Sequence, residues 1–264
     1  MKRAFASIKE GQVHYRVTGS GEPLLMLHAA VSSSNEFSRV MPFLASNYRA
    51  FAMDFLGNGD SDPAPFQYQM IDHARTAIAF LDSLGVEKVN VLGKNAGANV
   101  AAELAINWPN RVNKLILSSA GYFPEADEGI VMSGHPDFKT FTGRVEIKPD
   151  GSHLMEWWRR AAFWGAPPDI LEERVIDYVK AGPRGEEIHW ASGNYDVKRR
   201  FPLINCSTLV LSGTLDPFYP VAQKVKILLP RGKITFIADG SIYVTRVMPE
   251  EYARAVLNFL NTDS

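Results

Sequence analysis

The chain has 264 residues, 46% of them hydrophobic, with 28 basic side chains against 29 acidic ones and a net charge of −1. That length and apolar content are enough for one sizeable core with room for an insertion. No basic stripe with interleaved aromatics is present to follow a phosphate backbone, so nucleic acid is not an expected partner.

The N-terminal MKRAFASIKEGQVHYRV turns charged before an apolar run reaches the length of a secretion signal. No later stretch approaches the roughly 18 to 20 apolar residues that span a bilayer, so a cytoplasmic protein without membrane contact is expected. FASIKEGQVHYRVTG (5–19) alternates around a glycine turn, as a hairpin does. Short apolar runs follow: PLLMLH (23–28), YRAFAMD (48–54), KVNVLG (88–93), KLILSSA (114–120), STLVLSG (207–213) and KITFIA (233–238). Their continuous hydrophobicity is that of strands buried on both faces. Between them, NEFSRVMPFLAS (35–46), YQMIDHARTAIAFLDSLG (68–85), AGANVAAELAINWP (96–109), PVAQKVKILLP (220–230) and PEEYARAVLNFL (249–260) space their apolar residues as helices do. The alternation predicts an α/β protein with a mostly parallel, doubly wound sheet. Cys206, the only cysteine, allows no internal disulfide and no thiolate metal site.

One section breaks the rhythm. Between about 123 and 201 no strand-like run occurs. HLMEWWRRAAFWG (153–165) and PPDILEERVIDYVKAG (167–182) are instead helical and aromatic. The expected organisation is therefore a core of residues 1–122 and 202–264 with a helical cap, 123–201, over the C-terminal edge of the sheet, where open α/β folds bind ligands. Trp157, Trp158, Phe163 and Trp164 are expected to pack the cap on the core, with Trp158 a candidate for the pocket wall.

VNVLGKNAGANVAAELA (89–105) runs from a strand through two glycines into an alanine-rich helix. Together with LLMLHAAVSSSNEF, MDFLGNGDSD, LVLSGTLDPFYP and DGSIYVTRVMPEEYARAVLNFL, taken in chain order, it resembles the α/β-hydrolase family over nearly the whole chain. The resemblance implies a strained strand-to-helix turn that presents a Ser, Cys or Asp, a histidine that relays the proton and a carboxylate that orients the histidine. It also implies two backbone N–H groups that stabilise an oxyanion. Here the apex is Asn95, between Gly93 and Gly97, and a carboxamide is neither acidic nor a good nucleophile. Asp216 fills the acid position, but Ile242 stands where the histidine belongs. All six histidines (His14, His28, His73, His135, His153, His189) precede the acid strand. The oxyanion loop reads His28-Ala29 in place of the family's His-Gly, and Ala29 and Ala96 are the expected N–H donors.

Asn95 is either a degenerate apex, tolerated because Asn enters unusual φ/ψ regions, or an amide that anchors a ligand carbonyl or hydroxyl. A stand-in for an Asp nucleophile fits less well, because that chemistry also needs the missing base. Lys94 is either an ion-paired side chain, with Asp216 as the natural partner, or a catalytic amine. His28 is expected to brace the loop beneath the site, and Asp216 to act as a proton carrier or to persist as a relic. The serines Ser32, Ser33 and Ser34 are most simply explained by loop solubility, and Tyr243 brings a phenol near the site. No cofactor is implied, and no metal, since His135 and His153 lack a second ligand at metal-like spacing.

Two functional readings follow. In one, the chain is an enzyme that has abandoned acyl transfer for lyase, isomerase or cyclisation chemistry on a small, partly apolar, carbonyl-bearing molecule, using Asn95, Asp216 and Lys94. In the other it is a non-catalytic binder or sensor whose ligand shifts the cap toward a protein partner. A rearranged or deliberately inactivated triad is a further alternative.

Overall fold

The computed structural model of the protein describes residues 1–121, 144, 146–163 and 165–262. The expected cap boundary at 123, His135 and Trp164 lie outside the described residues. The strands are β1 (Lys2–Ile8), β2 (Gly11–Thr18), β3 (Glu22–Leu27), β4 (Tyr48–Met53), β5 (Val89–Lys94), β6 (Val112–Ser118), β7 (Ser207–Gly213) and β8 (Gly232–Ile237). The helices are α1 (Met41–Leu44), α2 (Met70–Ser83), α3 (Ala96–Asn107), α4 (Ser152–Phe163), α5 (Pro168–Ala181), α6 (Glu187–Gly193), α7 (Val197–Arg200), α8 (Tyr219–Leu228), α9 (Val244–Val247) and α10 (Pro249–Leu260). None of the described helices is long and apolar enough to cross a membrane.

Among the described residues the strands form one sheet in the order β1-β2-β4-β3-β5-β6-β7-β8. The β1–β2 hairpin joins antiparallel, and β2 also meets β4 antiparallel. Every other pairing, from β4 through β8, is parallel. Side chains along β3 alternate between two cores. Leu25 and Leu27 join the cluster that includes Phe51, Val91 and Leu117, while Leu24 and Met26 join Ile116 and Tyr252 on the opposite face. Both faces are dry, which is why these strands read as unbroken apolar runs rather than as alternating ones.

The strand order reverses between β3 and β5, so the crevice where open α/β sheets bind ligands opens beside Ala29 and Asn95. The run 35–46 departs from its helical expectation. It forms a 3-10 turn, Ser34–Phe37, and the four-residue α1. Pro42 cannot donate to the carbonyl of Ser38, so a helix from 35 breaks and restarts with the proline in its first turn. That break lets the chain at Glu36 fold under the loop that follows β3.

Candidate functional site

The elbow is built by close approach. A Cβ on Gly93 would lie 2.1 Å from the Gly97 carbonyl oxygen, and one on Gly97 would lie 2.3 Å from that of Leu27. Only hydrogen fits at either position, and the packing forces the apex between them into φ 52°, ψ −117°. Such a backbone costs a non-glycine residue about 1–3 kcal/mol. It is held by Asn95 N–H to Ser118 O (2.9 Å) and Ala98 N–H to Asn95 O (2.9 Å). The carboxamide of Asn95 is half-buried, lines a cavity and makes no hydrogen bond among the described residues. Ala96 is the first residue of α3, so its N–H has no intrahelical acceptor.

The second expected oxyanion donor is already taken. Ala29 N–H donates to Glu36 Oε2 at 2.7 Å. The other oxygen of Glu36 lies 3.0 Å from Lys94 Nζ, which also donates to the carbonyl of Ile242 at 2.6 Å. Glu36 and Lys94 are both buried, at 5% and 1% exposure. Burial alone would raise the carboxyl of Glu36, but Lys94, Arg246 and the Ala29 N–H together pull it down to about 2. Lys94 therefore pairs with Glu36, a correction to the expected Asp216. Its ammonium thus binds the main chain at Ile242, the position where the resemblance implies a histidine.

Asp216 is occupied elsewhere. Its Oδ2 accepts from Ser119 Oγ at 2.6 Å and its Oδ1 from Phe218 N–H at 2.8 Å. Burial raises its pKa above the ordinary carboxylate value, against the pull of Ser119 and Lys94. Among the described residues no imidazole contacts it, and it does not line the elbow cavity. His28 is fully buried. Its Nε2 accepts from Phe55 N–H (3.1 Å), so Nδ1 carries the proton given to Ala29 O (2.7 Å). Both nitrogens are spent on the loop, which leaves none for a substrate.

The helices between β6 and β7 supply the facing wall through Arg174, Tyr178 and His189. His189 Nδ1 is bonded to Glu186, itself 1% exposed. Trp157 stacks on Tyr178 with ring centroids 5.7 Å apart, whereas Trp158 is half-buried and does not reach the cavity. Tyr243 lines the cavity, and its hydroxyl donates to Ala161 O at 2.9 Å, tying the loop after β8 to α4. The three serines are buried rather than solvated. Ser33 donates to Asp177 Oδ1 of α5 at 2.7 Å, and Arg246 reaches the same carboxylate at 3.3 Å. The cavity holds about 70 Å³.

Of the residues expected from sequence, the structure brings together Asn95, Lys94, Ala29, Ile242 and Tyr243, and it sets back Asp216, His28, Ala96 and Trp158. Sequence reasoning missed Glu36, Arg174, Arg246 and the Glu186–His189 pair. Only that pair carried a readable signal, a glutamate three residues before a histidine on a helical segment. One group of potential metal ligands exists among the described residues: His14, Asp54 and Asp60, with ligand atoms within 4.8 Å of one another. Asp54 is committed to His14 Nδ1 (2.8 Å), Asp60 N–H (2.9 Å) and Ser34 N–H (2.5 Å), and Asp60 to Lys180 (2.6 Å). These contacts pin the turn after β4.

A strained apex between two obligatory glycines, at the switch point of a mostly parallel sheet, defines the α/β-hydrolase class. The family model described as alpha/beta hydrolase fold matches residues 22–156, and the chain belongs to that family. Among curated proteins it is 37% identical over 231 residues to a 2-hydroxymuconate semialdehyde hydrolase of Pseudomonas sp. (strain CF600), covering 80% of this chain and 76% of that protein. It is 29% identical over 284 residues, 97% of this chain and 95% of the other, to a 2-hydroxy-6-oxononadienedioate/2-hydroxy-6-oxononatrienedioate hydrolase of Pseudomonas putida. The solved bromoperoxidase from Bacillus anthracis shares the fold, with a TM-score of 0.82 at 20% identity over 99% of this chain and 100% of that one.

Proposed function

We propose that this protein is an enzyme that moves protons on a small, partly apolar oxo compound and forms no acyl-enzyme. The observation that carries this reading is the Asn95 carboxamide, held on a costly backbone and facing the cavity without an internal partner. A ligand carbonyl oxygen would accept from Asn95 Nδ2. The N-terminal end of α3 would stabilise the negative charge that develops there on enolisation. His189, oriented through Nδ1 by Glu186, is the group in the facing wall suited to take and return the proton. Asp216 and Lys94, the carriers expected from sequence, are engaged by Ser119 and Glu36 and serve as scaffold in this reading.

The relatives' names describe 2-hydroxy-6-oxo compounds with conjugated double bonds. Such an enol joined to a carbonyl can tautomerise by proton movement alone, whereas hydrolysis must also activate water. The test is incubation with 2-hydroxymuconate semialdehyde, a 2-hydroxy-6-oxo dienoate without a phenyl ring, in deuterated water. Enzyme-dependent deuterium uptake at carbon is expected, lost in Asn95→Leu and without cleavage at the oxo carbon. Catalysed cleavage, or uptake unchanged in Asn95→Leu, would overturn the proposal.

One observation favours a second reading. With Ala29 N–H consumed by Glu36, half of the oxyanion hole is filled by the protein's own carboxylate. That arrangement suits a pocket that binds a carbonyl without transforming it. Saturable binding of the same dienoate with no deuterium uptake would select this reading.

A further inference from the structure

A second cavity lies away from the elbow. It measures about 230 Å³, and no described residue lines both cavities. It sits between the turn that follows β4, the first turns of α2 and the segment joining α5 to α6. Phe55 separates it from the oxyanion loop, with its ring 4.5 Å from that of His28 on one side and 5.1 Å from that of His73 on the other. Leu56, Pro63, Ala64 and Ile188 give it an apolar lining.

The charged groups at its rim are already matched. Lys180 pairs with Asp60 at 2.6 Å. Arg184 holds Glu187 through two bonds of 2.9 and 2.7 Å and donates to Ala64 O at 2.8 Å. An ionic ligand would have to break one of these pairs, so the cavity suits a neutral molecule.

Two buried polar side chains on its wall have no hydrogen-bond partner among the described residues. His73 is 3% exposed and Asn58 4%. Neither nitrogen of His73 is hydrogen-bonded, yet only Nδ1 is sealed from water-sized space, so Nε2 opens onto the cavity. Burial holds this imidazole neutral, pushing its pKa down to about 3. A neutral ring carries one proton, and a sealed N–H without an acceptor is rarer than a bare lone pair, which assigns the proton to Nε2. The same reasoning applies to Asn58, whose Oδ1 is sealed while Nδ2 is not. Two uncharged donors therefore face an apolar chamber.

We propose that this chamber is a second binding site, for a neutral single-ring molecule whose carbonyl oxygen accepts from His73 Nε2–H and Asn58 Nδ2–H. The volume exceeds the roughly 150 Å³ of an apolar cavity that takes benzene, leaving space for a substituent. The site stands independently of what the elbow does.

Acetophenone, titrated into the ¹⁵N-labelled protein, is the probe, with benzoate as its charged counterpart. Saturable shifts are expected at the amides of Gly57, Ala181 and Gly185, weakened at least fivefold in His73→Phe and in Asn58→Leu, and absent with benzoate. Shifts confined to Ala30 and Asn95, affinity unchanged in the variants, or equal binding of benzoate would overturn the proposal. If His73→Phe does not fold, Asn58→Leu alone decides.

Discussion

Lys94 Nζ and Glu36 Oε1 lie 3.0 Å apart, both buried, in the wall of the cavity that Asn95 also lines. Removing one member of a buried pair strands the other, at a cost of about 3–5 kcal/mol. Lys94→Met is therefore expected to lower the unfolding free energy in urea by that amount. Adding Glu36→Gln, which still accepts from Ala29 N–H, should recover more than half of the loss. A single variant as stable as the parent would show that the pair contributes nothing.

The same pair governs whether hydrolysis can be introduced at the elbow. Asn95→Ser with Ile242→His would supply a hydroxyl at the apex and an imidazole in the loop after β8, but Glu36 still occupies Ala29 N–H and Ser119 still occupies Asp216. The double variant should be close to inert toward p-nitrophenyl acetate. Adding Glu36→Ala and Lys94→Ala frees the second oxyanion donor, and one such donor is worth about 10²- to 10³-fold in turnover. A gain of at least tenfold over the double variant is the expected result. Full esterase activity in the double variant would mean that Glu36 yields the donor readily.

How far the sequence foretold the site depended on the range of the interactions involved. STLVLSG coincides with β7 to the residue, because strands buried on both faces have to be apolar throughout. The elbow was equally legible, since its geometry is set by two local glycines. Glu36 was not, for it sits in a run with helical spacing, and its burial results from the break at Pro42 together with a contact to Lys94, 58 positions along the chain. Lys94 was expected on Asp216 because the missing imidazole left that carboxylate unclaimed. Ser119, at φ 47° just past β6, claimed it instead.

Among the buried groups that shape the acid limb of stability, two act in separable windows. His73 has its pKa lowered from 6.5 to about 3 by burial, so below about pH 6.5 the unfolded chain takes up a proton that the folded chain refuses. Stability falls as the pH drops from there toward 3, by at most about 1.4 kcal/mol per pH unit from this group. Glu36, lowered from 4.5 to about 2, contributes fully above pH 4.5 and loses its contribution as the pH falls toward 2. Urea titrations at pH 7 and pH 5 should therefore differ by about 2 kcal/mol less in His73→Phe than in the parent. Glu36→Gln should match the parent over that interval and flatten the curve only below it. A slope in His73→Phe identical to the parent between pH 7 and 5 would show that the imidazole protonates inside the fold.

The last prediction separates what the apex costs from what it supplies. Asn95 holds φ 52° and ψ −117°, a conformation glycine enters without the Cβ penalty, and its carboxamide makes no internal hydrogen bond that replacement would lose. Asn95→Gly should therefore stabilise the protein by about 1 kcal/mol, read as a higher urea midpoint at unchanged slope. A residue retained only because it tolerates the turn would be replaced by glycine without functional loss. If the carboxamide anchors a ligand oxygen, the stabilised variant should bind the dienoate at least tenfold more weakly, since a single hydrogen bond to a charge-bearing oxygen is worth about 1.5–3 kcal/mol. Higher stability with unaltered binding would mark Asn95 as a tolerated relic, and the role proposed for its amide would fall.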